Sequence, residues 1–165
     1  MSRALSRRSL FAALGGSAAA LVPFRAAGAQ TTPPGPFVVH RTPVRVADTR
    51  TDSFPGFKLD ATHGATFAVS SGTGGDLATS VFVNVTITET EGAGFLTVSP
   101  ADDSGLAPPP QHSNVNWFEN GVTLANLVLT AVGSESSISI SCGGPGRTHV
   151  ILDVLGYVPF VSPTL

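Results

Sequence analysis

From Ser80 to Thr88 the chain reads Ser-Val-Phe-Val-Asn-Val-Thr-Ile-Thr, with Val81, Val83, Val85 and Ile87 at every second position. In an extended backbone successive side chains point to opposite faces, so these four share one side and predict a strand with a core face. A second β-branched and aromatic run, Gly94-Phe95-Leu96-Thr97-Val98-Ser99, follows Glu91-Gly92-Ala93. Glycines between two such runs predict a hairpin with a loop of moderate length.

The same alternation recurs down the chain. Val44 and Val46 mark a strand in Pro43 to Arg50, and Ala65 to Val69 predicts another, halted by Ser70-Ser71-Gly72-Thr73-Gly74-Gly75. Phe54-Pro55-Gly56-Phe57 reads as a turn. Ala101 to Gln111 contains Asp102, Asp103, Gly105 and Pro108-Pro109-Pro110, which makes it a surface excursion without ladder bonds to donate. The extended pattern resumes at Ser113 to Phe118, and Asn120-Gly121 has the best two-residue hairpin turn chemistry in the chain. Val122 to Val132 is the longest apolar run; its β-branched residues favour a strand over a helix. Two further strands are expected at Ile138 to Cys142 and Thr148 to Leu155, the second stopping at Gly156-Tyr157. Short strands at this spacing, with no amphipathic helix after the N-terminal region, predict a single all-β domain: an antiparallel β-sandwich or closed barrel.

Composition supports one turn-rich globular domain. The 165 residues are 42% hydrophobic and 12% charged, with 18 Gly and 13 Pro. Four of the nine basic residues, Arg3, Arg7, Arg8 and Arg25, lie in the first 25 positions; the other five face all eleven acidic residues, a balance of −6 for the remainder. Such a surface repels phosphate backbones, so nucleic acid is not an expected partner.

The basic cluster has its own reading. Ser6-Arg7-Arg8-Ser9-Leu10-Phe11 has the form of a twin-arginine export signal, followed by a modest apolar stretch to Phe24 and a small-x-small site, Ala27-Gly28-Ala29. That stretch is shorter than the roughly 20 residues needed to span a bilayer. A signal peptide over 1–29 is therefore expected, then a Pro-rich leader over 30–42, the domain over 43–160 and a tail over 161–165. The expected location is the cell surface or the medium, with no membrane span after processing. Cys142 is the single cysteine, so no internal disulfide is available, and its phase with Ile138 and Ile140 predicts a buried small hydrophobe.

Val44-Arg45-Val46-Ala47-Asp48-Thr49-Arg50, Val83-Asn84-Val85-Thr86, Gly94-Phe95-Leu96-Thr97-Val98, Ser113-Asn114-Val115-Asn116, Ala125-Asn126 and Asp153-Val154-Leu155-Gly156-Tyr157 occur in that order. This series resembles an all-β domain found in secreted proteins of actinobacteria and related bacteria, marked by D-T-R, N-V-T, S-N-x-N and D-V-x-G-Y motifs. The resemblance spans roughly Pro43 to Val158. It implies an all-β fold and an exported protein, and it implies no catalytic residues. In this chain the acidic pair Asp102-Asp103 stands where the family carries a small glycine-bearing turn.

Asp48, Arg50, Asn84, Asn114, Asn116, Asn126 and Asp153 lie in or beside apolar strands, where a lone polar group is costly. One reading is a buried network in which these groups satisfy each other, with the planar fork of Arg50 on Asp48 or Asp153. The other is that they line a ligand pocket. No G-x-S-x-G elbow or phosphate-binding glycine loop is present, and His40, His63, His112 and His149 are too dispersed for a local metal motif. Glu89 and Glu91 resemble a glycosidase carboxylate pair only in type, since a hairpin tip implies no cleft. The sequence thus implies no enzyme and no cofactor. It points to an exported structural or protein-interaction domain that contacts another surface protein, or copies of itself, through strand edges or an apolar patch. The alternative is a module for cell-wall glycan or other polysaccharide in which Trp117 and Tyr157 stack on sugar rings.

Overall fold

A computed structural model describes residues 37–51, 56–104 and 107–162. The proposed signal with Arg7 and Arg8, the leader up to residue 36, the Phe54-Pro55 half of one turn, Gly105 and the last three residues lie outside them. The described residues form eight strands: β1 (Val38–Asp48), β2 (Ala65–Ala68), β3 (Ala78–Glu91), β4 (Gly94–Pro100), β5 (Val115–Trp117), β6 (Leu124–Ala131), β7 (Ser137–Gly143) and β8 (Arg147–Pro159). They form two antiparallel four-stranded sheets, ordered β1-β8-β3-β6 and β2-β7-β4-β5. The architecture is an all-β sandwich and not a closed barrel.

Strand β3 is the spine. It pairs along its length with β8 on one side and β6 on the other, and Val81, Val83, Val85 and Ile87 are fully buried, as their alternation predicts. They join Val150, Leu152 and Val154 of β8 in one core cluster with Leu96, Val98, Ile138, Ile140 and Trp117 of the opposite sheet. Burying each such side chain contributes roughly 1.5–3 kcal/mol. Cys142 lies in the same cluster at 2% exposure, and burial pushes its thiol up to about 12.

The connections differ from the sequence expectation. The two runs around Glu91-Gly92-Ala93 do not form a hairpin, because β3 and β4 belong to different sheets. The same holds across Asn120-Gly121, between β5 and β6, and the turn at Gly143 to Gly146 likewise joins different sheets, between β7 and β8. Each of these is an arch that carries the chain over the core. Only β4 and β5 are chain neighbours within one sheet, and a long passage separates them. The reason lies in β3: both of its edges are taken by distant strands, so the following chain has no free edge beside it. The glycines serve the arch instead. Gly92 has φ +65°, and a Cβ there would stand 3.2 Å from the Cα of Gly146 in the neighbouring arch, whose N–H donates to the Ala93 carbonyl at 2.8 Å.

Three boundaries also shift. Strand β1 begins at Val38, inside the segment expected to be leader, because Val38 and Val39 pair with Tyr157 and Gly156. Strand β8 runs through Gly156 to Pro159. Gly156 is tolerated as a strand residue because of crowding, since a Cβ there would lie 2.3 Å from the Val38 carbonyl oxygen. Ser70–Thr73, where irregular chain was expected, forms one 3₁₀ turn closed by Gly74 in the left-handed region at φ +66°.

Two expectations follow. Gly156→Ala should lower stability by roughly 1–3 kcal/mol through overpacking against β1, read as a reduced urea midpoint. Cys142 should stay unmodified by an aromatic disulfide reagent at pH 8 in the native protein and react fully in urea, because the buried thiol is protonated there.

Candidate functional site

Asp48 ends β1 and is 4% exposed, so its charge needs partners. Arg50 turns back onto it: Nε donates to Oδ1 at 2.9 Å, Nη2 to Oδ2 at 2.7 Å, and the Arg50 backbone N–H donates to Oδ1 at 3.2 Å. Asp153 is not held by Arg50. It sits opposite Arg45 in the β1–β8 register, and Arg45 grips it with Nε at 2.9 Å and Nη2 at 3.2 Å while Nη1 lies 3.5 Å from Asp48. Arg45 therefore links the two carboxylates, and sequence reasoning passed over it. Its signal was present but local: it stands three residues before Asp48 on a strand.

The amides do not join this cluster. Asn114 accepts the Val98 N–H at 2.7 Å, and Asn126 donates to the Asn114 carbonyl at 2.7 Å, which ties β6 to the entry of β5 across the sandwich. Asn84 is opposite Asp153 in register, yet its amide donates to Thr86 at 3.4 Å. Asn116 is exposed, opposite Phe95. One connected network of all seven residues is thus replaced by two separate ties, with Asn84 and Asn116 outside both.

The proposed ring contacts are overturned. Trp117 is 1% exposed and its indole covers Gly94 of β4, where a Cβ would come within 2.5 Å of the ring. Tyr157 is 5% exposed, and its hydroxyl donates to Asp76 at 2.5 Å. A buried ring has no face to offer a sugar. Val115 and Trp117 are two positions apart, so the period of the strand already placed the indole beside a core valine. For Tyr157 the signal was hidden, because the register shifts between Val154 and Gly156 and turns the phenol inward.

Two further surfaces present exposed side chains. At one end of the sandwich, Phe57, Lys58, Asp60, His63, Glu91 and Arg147 line a cleft of about 430 Å³. Glu91, expected at a hairpin tip with no cleft, forms part of its wall: Lys58 Nζ donates to Oε1 and Arg147 Nε to Oε2, each at 2.6 Å. The Lys58 bond, with that of Arg147, holds the Glu91 carboxyl below its ordinary value. Asp60 accepts the Thr62 hydroxyl at 2.7 Å, the Thr62 N–H at 2.8 Å and the His63 N–H at 2.9 Å. These bonds, the Thr62 hydroxyl foremost, lower its carboxyl to about 2.

The second surface is the outer face of the β1-β8-β3-β6 sheet. Val39, Gly156, Phe82 and Leu129 stand opposite one another across its four strands, and Leu127 is opposite Asn84 one pleat away. Val39, Leu127 and Leu129 are 66%, 55% and 59% exposed, and Phe37 packs edge-on to Phe82 at 4.4 Å between centroids. Strand β6 closes this face as an edge strand without a charge or a proline. The other long edge, β1, carries Arg41, Pro43 and Arg45.

Among the described residues no group of three or more His, Cys, Asp or Glu is placed to hold a metal ion, and no helix is long and apolar enough to cross a membrane. Comparison with family models, curated proteins and solved structures gave no match to this chain. The reading of function therefore rests on these surfaces.

The Asp48 cluster generates a pH dependence. Arg50 foremost holds the Asp48 carboxyl below the ordinary range, so the folded state keeps it ionised where the unfolded chain binds a proton. That stabilisation is present above about pH 4 and is lost as pH falls through the lower folded value. Thermal melts should show the midpoint falling as pH is lowered from 4 to 2, and Arg50→Gln should flatten that fall while lowering the midpoint at pH 7.

Proposed function

We propose that this chain is an exported, non-catalytic interaction domain that joins copies of itself through the β6 edge and the apolar outer face beside it. The carrying observation is the contrast between edges. Proline and arginines guard β1, and β2 and β5 are four and three residues long. Strand β6 is eight residues long and uncharged, and it carries the exposed Leu127 and Leu129. An unguarded edge of this kind presents backbone N–H and C=O groups to any added strand.

Charge supports a second copy as the occupant. The chain after the proposed signal has a balance of −6, so two copies repel over most of their surfaces. Antiparallel pairing of β6 with β6 brings uncharged residues together and sets each copy's Leu127 and Leu129 beside the other's. Such an isologous contact closes as a two-fold dimer. Export rests on Arg7 and Arg8 in their twin-arginine setting, and on the resemblance to the secreted actinobacterial domain. The consumption of Asp48, Arg50, Asp153, Asn114 and Asn126 in ties between strands supports a scaffold over a catalyst.

Sedimentation across a concentration series should show a reversible monomer–dimer equilibrium, and Leu129→Lys should leave a folded monomer. A protein that stays monomeric throughout, or a Leu129→Lys variant that dimerises equally well, overturns the self-association. Fractionation of the producing culture should find the protein in wall or medium, and the Arg7→Lys, Arg8→Lys double variant should accumulate inside the cell.

A further inference from the structure

We infer that the cleft lined by Phe57, Lys58, Asp60, His63, Glu91 and Arg147 is a binding site for a neutral saccharide. The first support is rigidity. Residues 57–63 are strapped to the sandwich by Leu59, which is fully buried and exchanges backbone bonds with Thr148 at 2.8 and 3.0 Å. Asp60 and His63 exchange two more at 3.2 Å, and the Asp60 carboxylate closes the turn from within. On the opposite wall Glu91 and Arg147 are register partners at the ends of β3 and β8. The side chains that line the cleft are thus placed before any ligand arrives, which removes much of the ordering cost of binding.

The second support is the donor and acceptor set. Lys58 and Arg147 each spend one N–H on Glu91, which leaves two of three on the ammonium and four of five on the guanidinium. His63 commits Nδ1 to Asp60 and Thr62, and its Nε2 has no partner among the described residues. Fixed groups that donate and accept side by side suit vicinal hydroxyls, each of which does both. Phe57, 43% exposed and edge-on to His63 at 5.7 Å between centroids, supplies an apolar ring for the C–H face of a pyranose.

Charge separates this ligand from its competitors. The cations Lys58 and Arg147 balance the carboxylates Asp60 and Glu91, so these four groups together offer little net charge to attract a phosphate, a uronate or a basic peptide. A volume of about 430 Å³ lies within the range of small-molecule sites. A second depression of about 250 Å³, lined by the Asp60 to Thr62 turn and by Gly144 to Arg147, shares Asp60 and Arg147 with the cleft. The two together give an oligosaccharide a track longer than one ring. This site lies on residues that the dimer proposal does not use, so each stands or falls alone.

The test is an amide-resolved NMR titration of the purified chain with chitotetraose, cellotetraose, maltotetraose and laminaritetraose, with tetragalacturonate and a dinucleotide as charged probes. At least one neutral tetrasaccharide should shift the Thr62, His63, Gly92 and Gly146 amides saturably, with little change on adding salt. Phe57→Ala should weaken that binding about three- to tenfold, Arg147→Gln should weaken it as well, and Leu129→Lys should leave it unchanged. Spectra of the distant core amides report that each variant is folded. The inference is overturned if none of the four neutral sugars shifts these amides, if the shifts fall elsewhere, or if only the charged probes bind and salt abolishes it.

Discussion

The pairing of β3 with both β8 and β6 is the constraint from which the rest of the molecule follows. A strand with both edges occupied and four inward side chains at zero exposure has its face, register and neighbours set at once. The opposite sheet must then present apolar residues at matching positions. Leu96, Val98, Ile138, Ile140 and Trp117 do so. Because β3 has no free edge, the chain leaving it has to cross the core, and the glycines at Gly92, Gly144 and Gly146 crowd together where neighbouring arches meet. The cleft around Glu91 exists because β3 ends there, beside the start of β8.

Faces were legible in the residues; partners were not. Alternation at Val81 to Ile87 and at Val115 with Trp117 states which side chains go inside, since it depends only on the two-residue repeat of an extended backbone, whereas in β7 the serines between Ile138, Ile140 and Cys142 are buried too. It is silent on which strand lies alongside. Asn120-Gly121 and Glu91-Gly92-Ala93-Gly94 have turn residues that serve an arch as well as a hairpin, because both need a backbone free to take positive φ. The charged cluster shows the same divide. Asp48 with Arg50 is a two-residue relationship and could be foreseen, whereas Arg45 with Asp153 requires the β1–β8 register. The cleft residues are scattered from Phe57 to Arg147, and nothing local announces that they meet.

The two surfaces differ in what they offer. The outer face of the β3 sheet exposes Val39, Leu127 and Leu129 and is edged by the uncharged β6, which suits a strand or a copy of the same sheet. The end of the sandwich is polar, concave and internally neutralised, which suits a small uncharged molecule. A sandwich is well arranged for this division, since its sheet faces and its loop-bearing ends are formed by different residues of the same strands.

The position of β8 has a consequence for how the molecule comes into being. Of the eight strands described it comes last in chain order, yet it lies between β1, the first of them, and β3. Until it arrives the first sheet has a gap in its middle, and the arches provide no local ribbon that could hold shape in the meantime. The β1–β8 and β3–β8 ladders must therefore wait for this strand, and closure over such long loops is slow. The first sheet of such a domain is completed only once β8 is in place.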